Sequence, residues 1–115
     1  MTENAAPSGP ENWTEIASLA DFPPNTRRCV DVDGVQMVVF NIGGEFHAIE
    51  DLCSHEAEAL SGGRLEGTEI VCPRHEAHFS LLTGEALSPP AYEPVTVFPV
   101  RVDNGRVYVR DPRFD

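Results

Sequence analysis

Two short stretches hold the side chains best suited to chemistry. Cys53-Ser54-His55 is followed by Cys72-Pro73-Arg74-His75, so each stretch offers one sulfur and one imidazole. Thiolate is a soft metal ligand, and imidazole suits iron and zinc. In extended chain, residues two apart project to the same side, which lets Cys53 and His55 reach one site together. Pro73 stiffens the turn between Cys72 and His75. A binuclear iron–sulfur cluster, with both thiolates on one iron and both imidazoles on the other, needs that donor set. A single zinc ion also accepts two Cys and two His, but zinc fingers pair like with like at spacings of roughly two to four residues. The mixed order within each stretch favours iron and sulfide. It leaves zinc, and then chance proximity of unrelated side chains, as alternatives.

The elements that must hold these stretches read as strands and turns. Arg28–Val32 alternates and meets Asp33-Gly34, a hairpin signal. Val35–Ile42 is a β-branched apolar run that leads through Gly43-Gly44 into Glu45–Glu50, a second hairpin. Val95–Val102 passes through Asn104-Gly105 into Arg106–Arg110, a third. No long helical period is present; Leu52–Leu60 has room for one helical turn before Gly62-Gly63 ends it. Between Leu52 and Pro90 lie short strands, Glu69–Cys72 and His78–Leu81, among turn-rich loops, and Pro89-Pro90 and Pro94 return the chain to the earlier pattern. The expected fold is all-β: a sandwich or barrel base with a small inserted subdomain at about 52–90. Residues 1–12 read as a flexible tail, and 13–115 as one domain.

Composition excludes several function classes. The 115-residue chain can bury a core without a metal or disulfide staple. Its net charge of −11 argues against nucleic acid and favours basic protein partners. No run approaches a membrane span, and no secretory signal is visible, so a cytoplasmic protein is expected; strong acidity opposes self-association, so a monomer is expected. Three cysteines, an odd number, fit ligands better than a disulfide framework. Cys29 reads as a small buried hydrophobe, His47 as a solvent-facing structural residue, and His78 as a surface histidine in preference to one at the site's edge. The acidic run Glu45, Glu50, Asp51, Glu56 and Glu58 reads as a solvated face, with partner docking as the minority reading.

From Trp13 to Val109 the chain resembles the Rieske ferredoxins. The resemblance rests on Cys53-Ser54-His55-Glu56 leading to Leu60-Ser61-Gly62-Gly63, on Leu65-Glu66-Gly67, and on Ile70-Val71-Cys72-Pro73-Arg74-His75. It continues through Phe79, Thr83-Gly84-Glu85-Ala86, Pro89-Pro90, Tyr92-Glu93-Pro94 and Phe98-Pro99-Val100. It implies an all-β fold with a [2Fe–2S] cluster at its tip, held by Cys53, His55, Cys72 and His75, the imidazoles facing solvent or a partner. It implies a one-electron carrier between a ferredoxin reductase and a terminal oxygenase, commonly one that hydroxylates aromatic rings. The chain is then no enzyme by itself.

Two absences and one departure narrow the branch. High-potential members of the wider family join an extra cysteine in each loop as a disulfide; the corresponding positions here are Glu58 and Arg74. Those members also carry hydroxyl donors at positions that are here Ala77 and Phe79. Fewer hydrogen bonds stabilise the reduced cluster less, so a potential of roughly −150 mV is expected. The departure is Glu76-Ala77, where the family usually has glycine. Rieske-like accessory proteins of iron–sulfur assembly or nitrite reduction, and a structural zinc module, are the competing functions.

Overall fold

Tight turns set the register of the framework. The computed structural model describes residues 13–53, 59–74, 76–89, 91 and 93–114. Asp33-Gly34 and Asn104-Gly105 adopt positive φ at both positions, 52° and 88° in one and 52° and 74° in the other. That handedness matches the twist of the strands it joins. Around these turns, β1 (Thr14–Ser18), β2 (Thr26–Val32), β3 (Val35–Ile42), β4 (Glu45–Glu50), β8 (Val97–Phe98), β9 (Val100–Asp103) and β10 (Arg106–Val109) build the base. Three shorter strands, β5 (Arg64–Glu66), β6 (Glu69–Val71) and β7 (His78–Ser80), lie between β4 and β8. The described residues contain short 3-10 turns and no α-helix.

The strands form three antiparallel sheets, ordered β9-β10-β1, β2-β3-β4-β8 and β5-β6-β7. The middle sheet is covered on both faces. Met37, Val39, Ala48 and Phe98 pack with Val107 and Val109 of the first sheet. Val38, Phe40 and Ile49, on the other face, pack with Ile70 and Phe79 of the third and with Leu81, just after it. Burial from both sides explains why Val35–Ile42 reads as a near-continuous apolar run, since alternation requires one wet face. Asn41, buried in that strand, donates from Nδ2 to the Phe22 carbonyl at 2.8 Å and accepts the Gly44 N–H at 2.8 Å. Both ends of its amide are satisfied, so its burial carries no unpaired polar group.

The first two hairpins follow the sequence reading. The third differs at its first strand: Val95–Val102 is broken at Pro99 into β8, which pairs with β4, and β9, which pairs with β10. Pro99 has no N–H for a ladder, and the chain changes sheets there. β5 was not foreseen as a strand. Residues 1–12 of the expected tail, and positions 54–58 of the expected helical turn, lie outside the described residues; a 3-10 turn follows at Leu60–Gly62.

Candidate metal centre

Cys53 leaves the base through a bonded corner. The Asp51 N–H donates to the Gln36 carbonyl at 2.9 Å and the Leu52 N–H to the Glu50 carbonyl at 2.8 Å. These bonds turn the chain off β4 and carry Cys53 inward, where it is 1% exposed. Cys72 directly follows β6. Its N–H donates to the Ala77 carbonyl at 2.8 Å, extending the β6–β7 ladder, and its own carbonyl accepts the Glu76 N–H at 3.0 Å. Both cysteines belong to one buried apolar cluster with Phe40, Leu60, Ala77, Phe79 and Ala91. None of the three cysteines is in a disulfide.

The loop after Cys72 closes at Glu76, which takes a left-handed φ of 60°. Glycine adopts that conformation without strain and glutamate does not. A glycine at this position would meet a backbone need that this chain meets with a strained residue. The Glu76 carboxylate lies 3.6 Å from Arg64, whose Nε is also 2.8 Å from Glu66. Both contacts are exposed and weak.

Between the two cysteines, the 3-10 turn Leu60–Gly62 is held from the base. Asp51 Oδ1 accepts the Ser61 N–H at 2.6 Å. Arg27 Nη1 donates to the carbonyls of Ser61 at 2.8 Å and Gly63 at 2.6 Å, and its guanidinium stacks 5.0 Å over the Phe40 ring. A Cβ at Gly63 would sit 2.0 Å from the Val71 carbonyl oxygen, one residue before Cys72. No side chain fits there, so the turn presses directly on the strand that carries Cys72.

Across the loop from Cys72, the edge of β7 is closed by residues 85–88. Ser88 Oγ accepts the His78 N–H at 3.0 Å, and the Leu87 N–H donates to the His78 carbonyl at 2.7 Å. Ala77 and Phe79 form an apolar wall beside the cysteines, 1% and 0% exposed.

Cys53 and Cys72 share one dry apolar cluster. That donor chemistry fits an iron–sulfur group, because a thiolate is costly in apolar surroundings unless it meets positive charge. His55 and His75 lie outside the described residues, as do Glu56 and Glu58. The described residues alone place no three metal-ligating side chains together.

Comparison with known proteins decides the family. Residues 12–110 match the Rieske-like [2Fe-2S] domain. The chain belongs to that family. It is 37% identical, over 87% of its length and 96% of the relative's, to the ferredoxin component of naphthalene 1,2-dioxygenase/salicylate 5-hydroxylase systems of a Ralstonia species. It is 43% identical to the ferredoxin subunit of 3-phenylpropionate/cinnamic acid dioxygenase of Escherichia coli K12, over 82% of this chain and 89% of that one. Among solved structures, it superposes with a TM-score of 0.79 and 38% identity on a chain of the complex of reduced oxygenase and oxidised ferredoxin in carbazole 1,9a-dioxygenase. That match covers 85% of this chain and 92% of the other. The Rieske-like chain carries a [2Fe–2S] cluster and acts in electron transfer rather than as a catalytic enzyme. No helix among the described residues is long and apolar enough to cross a membrane.

Several sequence readings change. Cys29 is exposed, not buried, because β2 is an edge strand of its sheet. The His47 side chain is only 15% exposed, not solvent-facing. It lies opposite Phe40, on the face covered by the third sheet. His78 is half-buried, with Nδ1 2.9 Å from Glu69 Oε1. The acidic run is not one solvated face: Asp51 anchors the 60–63 turn, and Glu50 lies 3.7 Å from Arg113. Sequence reasoning missed Arg27 and Asp51 as supports of the 60–63 turn. Arg27 is a charged residue on a strand distant in sequence, invisible as a support until the sheets stack, and Asp51, two residues before Cys53, was read only as part of an acidic run.

Proposed function

We propose that this chain is the ferredoxin component of an aromatic-ring-hydroxylating oxygenase system, passing single electrons from a reductase to a terminal oxygenase. In this reading Cys53 and Cys72 hold one iron and His55 and His75 the other. The cluster supplies reversible one-electron chemistry when bound. The observation that carries the reading is the joint burial of Cys53 and Cys72 in one apolar cluster that spans base and tip. Ala77 and Phe79 exclude water there and offer no hydroxyl to hydrogen-bond sulfur, which supports a potential of roughly −150 mV. The domain runs from 13 to 115 with its cluster-binding part at about 52–90, behind a tail of 1–12, and the protein works as a cytoplasmic monomer.

The surface supports a basic protein partner. All eight basic residues are arginine, and only Arg64 and Arg74 fall between Asp51 and Val95. The same stretch carries Glu56, Glu58, Glu66, Glu69, Glu76, Glu85 and Glu93. An acidic end around the cluster speeds encounter with a positively charged docking face. The testing experiment is EPR of the dithionite-reduced protein together with iron and acid-labile sulfide analysis. The expected result is a rhombic Rieske signal with iron and sulfide in equal amounts. A colourless protein that binds zinc and lacks sulfide would overturn it.

A further inference from the structure

We propose that Arg27 is a positioning residue for the cluster loops, acting from the base through the 60–63 turn. The inference rests on the ligand reading above and adds a residue from outside the two loops. The Ser61 backbone is gripped on both sides of its Cα, its N–H by Asp51 Oδ1 at 2.6 Å and its carbonyl by Arg27 Nη1 at 2.8 Å. The same nitrogen holds the Gly63 carbonyl at 2.6 Å, while the Gly63 N–H donates to the Leu60 carbonyl at 2.9 Å. The turn is therefore pinned on every side. It comes seven residues after Cys53 in the chain, and through Gly63 it abuts Val71, the residue before Cys72. One guanidinium thus holds the turn that lies between the two cysteines and presses on the second loop. Phe40, beneath it, is packed in the same cluster as the two cysteines. Loosening the turn admits water to the thiolates and changes the hydrogen bonding that tunes a metal site.

The next residue provides an internal control. Arg28 also stacks on a phenylalanine, 5.5 Å over Phe22, and also donates to a backbone carbonyl, that of Asp21 at 2.8 Å. Phe22, however, belongs to the opposite core, shared with the first sheet. The two arginines match in chemistry and differ in the face they serve.

The experiment compares cluster-loaded Arg27→Gln, Arg27→Lys and Arg28→Gln with the parent protein. Readouts are the midpoint potential, the EPR g values of the reduced protein, and the rate of iron release to a ferrous chelator. Arg27→Gln is expected to shift the midpoint, broaden the EPR signal and release iron about tenfold faster, the size of one lost charge-assisted hydrogen bond. Arg27→Lys, which keeps the charge without the planar fork, is expected to release iron several-fold faster. It also serves as the reading if Arg27→Gln does not fold. Arg28→Gln is expected to match the parent in all three. Parent-like behaviour of both Arg27 variants, or equal changes in Arg28→Gln, would overturn the inference. So would parent-like iron release in Arg27→Lys beside a shifted midpoint in Arg27→Gln, which marks a pure charge effect. A parent protein without iron and sulfide would instead overturn the ligand reading, and this inference with it.

Discussion

The base and the tip of this molecule are held together by different means. The base hairpin runs on strands of seven and eight residues, joined by a two-residue turn with its own positive φ angles. The tip is built from three strands of three residues each. Strands that short bury too little to stand alone. The tip draws its order from two outside sources, the shared apolar cluster and the Arg27 and Asp51 anchors; in the proposed reading, a metal group on Cys53 and Cys72 would add a third. A scaffold that is self-sufficient carries a site that is not, and the site's geometry is thereby set by the scaffold's rigidity.

Removing the metal breaks the comparison most sharply. Cys72→Ser is expected to abolish the cluster, seen as complete loss of visible absorption and of the reduced EPR signal. Hydrogen exchange should then rise across β5–β7 while β2–β4 stay protected. Uniform exchange across both regions would show that the base depends on the metal as well. Phe40→Ala comes next. It removes a fully buried ring that joins the two regions, and is expected to cost about 3–5 kcal/mol in urea unfolding of the loaded protein. A loss below about 1 kcal/mol would mean that the regions are only loosely coupled.

Smaller changes sharpen the contrast within each region. Glu76→Gly relieves a left-handed glutamate in the tip. It is expected to stabilise the loaded protein by about 0.5–1 kcal/mol, with glycine's greater freedom in the unfolded chain offsetting part of the relief. Thermal melts of the loaded protein read this directly. In the base, the Arg113 guanidinium bonds Asp111 through Nε and Nη2, both at 2.9 Å, and holds its carboxyl below the usual carboxylate range. A folded pKa below the unfolded one contributes stability above the ordinary carboxylate pKa, lost as pH falls through the folded value. Asp111→Asn should therefore destabilise slightly at neutral pH and by less as the solution is acidified. An Asp111 that titrates by NMR with the exposed carboxylates would sink this assignment.

Legibility followed the same division. The base hairpins were readable because their determinants are local: Asp33-Gly34, Gly43-Gly44 and Asn104-Gly105 each specify a turn within a few residues. The stretches around Cys53 and Cys72 stood out in the sequence because ligand spacing is also local, and the two cysteines do fall in one buried cluster, while His55 and His75 lie outside the described residues. What stacks on what was not readable. His47 looked solvent-facing because neither covering sheet is adjacent to it in sequence, and Cys29 looked buried because its strand's place at a sheet edge is a tertiary fact. Val95–Val102 read as one strand, and that the chain breaks at Pro99 to change sheets required the topology.

One feature of the base bears on how such a protein accommodates change. The strands on either side of the tip, β4 and β8, are neighbours, with Ala48 opposite Phe98 and Ile49 opposite Val97. The Glu50 N–H closes the gap on the Thr96 carbonyl at 2.9 Å. Everything from Asp51 to Val95 therefore departs and returns through a single clasp, like a charm on a bracelet. Closure by itself depends only weakly on the length of what hangs there, because its entropy cost rises with the logarithm of length, about 0.6 kcal/mol for each doubling. Loops beyond the clasp that touch nothing in the base can be lengthened while the bracelet keeps its shape, whereas the strands that cover Val38, Phe40 and Ile49 must stay.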